Sequence, residues 1–464
     1  MAPEKVPLPG SYDRTDLQSI LRRASRLTGR TLRDFVDSGE MVIGGVNTKG
    51  VFGQLVESGY FLLDNNSSPL PDFREAGLEL KVTPIKRIGS GLVSKERLIL
   101  GIINYDDVPR RRFDIFLEKD SHILIVFYLW TEDSDVLDYR FLKVVDWEPT
   151  PEELRMIRED WDVIEGYVMR GEAHLLSERH TKYLAACTKG AGHGRDMRTQ
   201  PFSSELAKQR ALSFKASFMT DLFYTRPDIN DVLPPEDDSE GISSGRWNEG
   251  QSFEEYVIGL YSPFVGKTCF EIENALGLNI NPSSKQYYYT LSLAMAGVLR
   301  KRQIKEFVQA GIQVKTVRVR TDGRSKESMS FPYIRYDDLA EQEWECSDLL
   351  SQLDRQFFSP VFSFTSDNPV AQSRKDLVFR GAFFWALADE DMLAVRGVWE
   401  DTRAKVLAGD FDHFVSMAEG RVAHVRPHAR DSSDVAYFHG RPVRKMSFWL
   451  NGRYIEDVVR RNLG

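Results

Sequence analysis

The chain repeats itself, and this constrains its fold more than its composition does. Residues 304–317, IKEFVQAGIQVKTV, align with residues 71–83, PDFREAGLELKVT, so that Glu306 matches Asp72, Gln313 matches Glu79 and Lys315 matches Lys81. Downstream, KESMSFPYIRYDDL from Lys326 follows KERLILGIINYDDV from Lys95, with KE and YDD at identical spacing. Weaker echoes pair VGKTCFEIE at 265–273 with VFGQLVE at 51–57, and RKMSFWLNGRYIEDVV near the C-terminus with LSFKASFMTDLF at 212–223. A period this long marks a duplicated domain and not a solenoid unit. Two domains also suit 464 residues.

Each copy reads as α/β. Residues 78–85, 98–104 and 123–130 are rich in β-branched and aromatic residues and predict strands. The last, ILIVFYLW, is apolar at almost every position, as a central strand covered on both faces must be. Helical spacing appears in residues 15–37, 50–63 and 151–171, the last opening on a proline with acidic residues behind it.

The net charge of −8 argues at first against a polyanionic partner. Its distribution removes the objection. Residues 228–255 carry nine acidic residues against Arg246 alone, leaving the remainder formally neutral. The Pro/Gly/Ser-rich part of that run predicts a linker at 226–250 between domains at 1–225 and 251–464. Cys187, Cys269 and Cys346 form no CxxC pair, so neither a disulfide framework nor a zinc ribbon is indicated. No apolar run is long enough to span a bilayer, and a cytoplasmic protein is expected. His424 and His428 are spaced like metal ligands, but Pro427 interrupts a helix there, and no GxxxxGK[ST] or GxSxG motif occurs.

The chemistry concentrates in PDFREAGLELK. In a strand, Glu79 and Lys81 share one face while Leu78, Leu80 and Val82 share the other. Asp72 arrives from the preceding turn. Mg²⁺ takes oxygen ligands and keeps several waters, so two carboxylates and a phosphate oxygen suffice to hold it. A nearby lysine can then orient the attacking water. These residues suit a metal-dependent phosphodiesterase.

Three blocks, LQSILRRASRLTGRTLRDF at 17–35, KGVFGQLVE at 49–57 and AGLELKVTPI at 76–85, together resemble the MutH-type endonuclease family. The two-domain, GATC-cutting type II restriction endonucleases related to it are the closer match in length. The resemblance implies two tandem restriction-endonuclease-like domains, each a mixed sheet flanked by helices. It implies Mg²⁺-dependent cleavage of duplex DNA 5′ to the G of GATC. It implies a catalytic Glu57, metal ligands Asp72 and Glu79, Lys81 beside the attacking water, and a further lysine at Lys119. ERHTKYLAACTK at 178–189 resembles the segment before the family's base-reading loop, which assigns Lys189 and Gly190 to the DNA major groove. Ser213 and Lys215 fall in the family's DNA-contacting strand-to-helix element, with Ser213 standing where the mismatch-repair member has a tyrosine.

The second copy differs at the chemistry. Gln313 is neutral and cannot supply the charge a Mg²⁺ site needs, so Glu306, Gln313 and Lys315 predict a silent site. VRPHA at 425–429 resembles the base-reading segment and offers Arg426 and His428 to DNA. A second DNA copy bound there would tether the substrate or activate the first domain. The alternatives are a strand-nicking repair endonuclease and a DNA-binding regulator that does not cleave. A monomer in solution or a dimer on DNA fits either nuclease reading.

Overall fold

The computed structural model describes residues 12–41, 51–64, 70–88, 91–132, 134–189, 196–230, 239–242, 247–248, 250–299, 302–325, 327–344, 347–366, 372–429, 431 and 433–464. They form two compact units, one reaching Asp238 with Val308–Gly311 added, the other Ser239–Phe307 with Ile312–Gly464. Most of the acidic run expected as a linker lies outside the described residues. Ser239–Glu240, near its end, pairs in parallel with Gln303–Ile304.

In the first unit a four-stranded mixed sheet runs Gly91–Ser94, Glu79–Ile88, Ile123–Leu129, Phe141–Trp147. Glu79–Ile88 and Ile123–Leu129 are parallel and the outer pairings antiparallel. Ile123 to Phe127 are each 0% exposed, as the unbroken apolar run requires. Leu124 and Val126 pack with Ile20, Leu32, Phe35 and Val56 of the N-terminal helices. On the other side Phe127 meets Phe223 at 5.4 Å between ring centroids. A second, antiparallel sheet joins Leu98–Ile102, Arg210–Phe214 and Leu184–Thr188. Helix Pro151–Met169 starts where the sequence signals it, with Thr150 and Glu153 closing a capping box.

The helix expected over residues 50–63 is α-helical only at Val51–Gln54 and continues as a π-helix at Leu55–Tyr60. Hydrophobic spacing does not separate the two windings. Gly59 lies under Met41, whose Cε would stand 2.4 Å from a Cβ there, so a larger residue would have to displace the end of the methionine side chain.

The second unit repeats the plan. Its four-stranded sheet centres on Phe357–Ser363, parallel to Gln313–Val314 and Val317–Val319 and antiparallel to Val378–Trp385. Its three-stranded sheet joins Met329–Tyr333, Met446–Leu450 and Ala423–Pro427. The registers coincide. Glu79 pairs Ile123 as Gln313 pairs Phe357, and Ile123 pairs Trp147 as Phe357 pairs Trp385. Helices Pro151–Met169 and Asp389–Leu407 both have 19 residues. The duplication is therefore one of main-chain architecture.

One sequence alignment is corrected. VGKTCFEIE does not correspond to VFGQLVE. Thr268 caps Cys269–Leu276 through a capping box with Glu271 and bridges to Val378, as Thr31 caps Leu32–Asp37 through Asp34 and bridges to Arg140. The threonine cap fixes the match that a few shared apolar letters obscured. Among the described residues no helix is long and apolar enough to cross a membrane.

Candidate active site

The site begins as a tight turn. Phe73 and Leu78 bridge across Arg74–Gly77, with Gly77 at φ 63°, a left-handed conformation that favours glycine. The turn folds Asp72 back on the start of the strand. The Asp72 main-chain N–H donates to Glu79 Oε2 at 3.1 Å, and the Leu80 N–H donates to Asp72 Oδ2 at 3.1 Å. The strand then presents Glu79 and Lys81 on one face while Leu78 and Leu80 are buried on the other.

Glu79 is the centre of charge. It is 1% exposed, and its Oε1 accepts from Lys81 Nζ at 2.6 Å, with Lys119 Nζ at 3.5 Å from the same atom. Burial raises the Glu79 carboxyl, Lys81 works against that, and Asp72 adds to it. Burial also acts to lower the Lys81 ammonium, but Glu79 and Asp120 outweigh it and hold that pKa above the usual lysine value. Glu57, on the π-helix, is pushed up to about 7 by burial, then by the charge of Asp72, with Lys81, Glu79 and Lys119 also in electrostatic reach. Glu57, Asp72, Glu79, Lys81 and Lys119 thus come together.

The sequence reading missed Asp120. It follows Lys119 at the end of helix Asp114–Lys119, is 3% exposed, and is pushed up to about 7 by burial, with Lys81 opposing. Its Oδ1 has no hydrogen-bond partner among the described residues. With Lys119 it borders a cavity of ≈ 380 Å³ walled by Leu100, Trp161 and Leu212. An acid closing a helix reads from sequence as an ordinary solvated cap.

Among the described residues no three His, Cys, Asp or Glu side chains form a cage for a metal ion on their own. Asp72 and Glu79, tied together through the Asp72 and Leu80 main-chain N–H groups and electrostatically coupled, fit a two-carboxylate site completed by water and a substrate phosphate.

The expected DNA contacts separate. Lys189 is half-buried just past Leu184–Thr188, its N–H bonded to Gln209 O at 2.8 Å. Gly190 lies outside the described residues. Ser213 is corrected: it is 0% exposed, and its Oγ donates to Ala185 O at 3.3 Å, so it offers nothing to a ligand. Lys215 is corrected as well, being buried with its ammonium on the Thr181 carbonyl. Behind this strand Asp160 accepts the N–H groups of Lys182 and Tyr183 at 2.6 Å and of Leu184 at 2.9 Å. That carboxylate holds the start of the strand that ends at Thr188, one residue before Lys189.

In the second unit the same positions hold no such centre. Glu306 is buried on helix Lys305–Ala310 and accepts the Ile242 N–H at 2.9 Å. Gln313 keeps the strand register, its N–H bonded to Gln356 O at 3.1 Å as Glu79 bonds His122 O at 3.0 Å. Lys315 Nζ donates to the Ser330 carbonyl at 3.4 Å and lies 5.5 Å from the Phe331 ring centroid. Arg426 stacks over Trp449 at 3.7 Å, and His428 Nδ1 lies 2.8 Å from Ser447 Oγ.

Comparison with known proteins follows this division. The family model of the DNA mismatch repair enzyme MutH matches residues 61–160, which hold Asp72, Glu79, Lys81, Lys119 and Asp120. The DNA mismatch repair protein MutH of Shewanella amazonensis is 30% identical over 40% of this chain and 81% of its own length. That of Shewanella woodyi is 26% identical over 38% of this chain and 76% of its own. The type II restriction enzyme Sau3AI of Staphylococcus aureus is 29% identical over 95% of this chain and 98% of its own, so the likeness runs through both units. With the acid–lysine centre intact in its first unit and the fold repeated in its second, the chain belongs to the MutH-type endonuclease family.

Proposed function

We propose that the chain is a type II restriction endonuclease that hydrolyses duplex DNA at GATC, 5′ to the G, with Mg²⁺, in the cytoplasm. The observation that carries this reading is the Glu79 carboxylate, held by Lys81 and Lys119 beside Asp72 and Glu57 in the first unit and replaced by Gln313 in the second. The similarity to a type II restriction enzyme along 95% of the chain favours this over a repair nickase, since the mismatch-repair relative from Shewanella amazonensis matches 40% of it.

Asp72 and Glu79 would hold the metal, which when bound polarises the scissile phosphate. Lys81 orients the attacking water. Lys119 stabilises negative charge developing on the phosphate, and Glu57 completes the water shell. Lys189 reads guanine acceptors in the major groove, with Gly190 beside it. The second unit binds a further DNA copy through Arg426 and His428, as a tether or an activator. One cutting centre per chain leaves a double-strand break to two chains meeting on DNA or to two successive nicks.

Digestion of unmethylated plasmid with Mg²⁺ tests this, with wild type beside Glu79→Gln. Discrete fragments ending at GATC from wild type alone are expected. Nicked circles only would favour the repair reading, and intact plasmid from both proteins would leave a DNA-binding protein.

A further inference from the structure

The second unit has changed its charge as well as lost a ligand. Its sheet keeps the register of the first, so the places of Lys119, Asp120 and Ser121 fall to Leu353, Asp354 and Arg355. Lys315 follows strand Gln313–Val314 directly and Arg355 stands two residues before its parallel partner Phe357–Ser363, both half-buried. Among the described residues the side-chain hydrogen bonds of these two cations go to main-chain carbonyls: Lys315 to Ser330, and Arg355 to Ser351, the latter at 3.1 Å from Nε. In the first unit the matching lysine sits 2.6 Å from a carboxylate.

Such an arrangement is costly when empty. Burial lowers both cations' pKa, and Arg355 lowers Lys315 further, while Asp354 offsets part of the effect on Arg355 alone. Two like charges held in a poorly solvated place are relieved by an anion between them. Glu306 is not that anion, because its carboxylate is engaged by the Ile242 amide. Gln313, on the same strand face as Lys315, is neutral and does not repel one.

We infer that Lys315 and Arg355, with Gln313 beside them, form a pocket that binds a backbone phosphate of duplex DNA directly, without a divalent ion. The guanidinium stands in for the metal charge, and its fork suits phosphate oxygens. The first unit grips a phosphate through a cation held by acids, and the second through cations of its own. This rests on the reading of the second unit as a DNA-binding body and adds where it holds the backbone and that the hold needs no Mg²⁺.

The full chain carrying Glu79→Gln is titrated with a labelled duplex that wild type cuts, once in Mg²⁺ and once in EDTA. Two duplexes per chain are expected in Mg²⁺, one of them persisting in EDTA. Arg355→Gln and Lys315→Gln should each weaken the EDTA-resistant binding at least about tenfold and lower its salt slope by about one. Gln313→Glu, which keeps side-chain shape and restores the acid, should weaken it in EDTA too, and carries the test if a cation variant melts early. EDTA-resistant binding within twofold of the parent in all folded variants, or a second binding event that vanishes in EDTA, overturns the pocket while leaving a DNA-binding second unit. One duplex per chain under both conditions overturns the second-unit reading itself.

Discussion

Lys81 Nζ stands 2.6 Å from Oε1 of Glu79, two residues away on the same strand face, so the cation and the acid that holds it are fixed by one local geometry. Replacing Lys81 with alanine removes the ammonium proposed to orient the attacking water and leaves the Glu79 carboxylate buried without that partner. Turnover on plasmid should fall by about 10²–10⁴-fold, the usual range for such a group, while duplex binding in Mg²⁺ stays within a few-fold. Normal cleavage by this variant would falsify the assignment.

Glu57 and Asp120 are both pushed up to about 7, chiefly by burial. Between the ordinary carboxyl range and pH 7 the folded chain keeps protons that the unfolded chain has released, so stability falls as pH rises through that window. In EDTA the melting temperature should drop between pH 5 and pH 8, and Glu57→Gln with Asp120→Asn should flatten that drop. A double variant that tracks the parent at every pH contradicts the buried-acid account.

Asp160→Ala leaves three buried main-chain donors at Lys182, Tyr183 and Leu184 without their acceptor. At about 1–3 kcal/mol for each unmet group, the loss should exceed ~3 kcal/mol, read as a shift of the urea midpoint at unchanged m-value. A shift within error would mean that water replaces the carboxylate.

His424 is 0% exposed, neither ring nitrogen has a hydrogen-bond partner among the described residues, and burial followed by the charge of Arg426 lowers its pKa to about 4. The native ring stays neutral where the unfolded one takes a proton, so stability is lost as pH falls from about 6.5 to about 4. His424→Phe should match or exceed the parent at pH 7 and resist acid better. Equal acid sensitivity in both proteins would show that this ring does not titrate with unfolding.

What the sequence could show followed from local physics. The apolar run Ile123–Leu129 had to lie inside a sheet, and Pro151 with the acids behind it had to open a helix. The alternation that puts Glu79 and Lys81 on one face needs no tertiary information. The interior placement of Ser213 and Lys215 does, because a strand face is turned inward by what packs on it. Asp120 escaped for the same reason, its burial arising from elements far along the chain. The π-helical winding at Glu57 was invisible because six residues make little more than one turn, too few for apolar spacing to define a period.

The hydrogen bonds that set Glu79 against Ile123, and Gln313 against Phe357, belong to main-chain atoms. Side chains on that face are passengers of the ladder and take no part in its register. A charged centre can therefore be dismantled, or its sign reversed, by substitutions that leave the register of the central strands unchanged. A chain that carries the same scaffold twice keeps one instrument in service while the other is retuned.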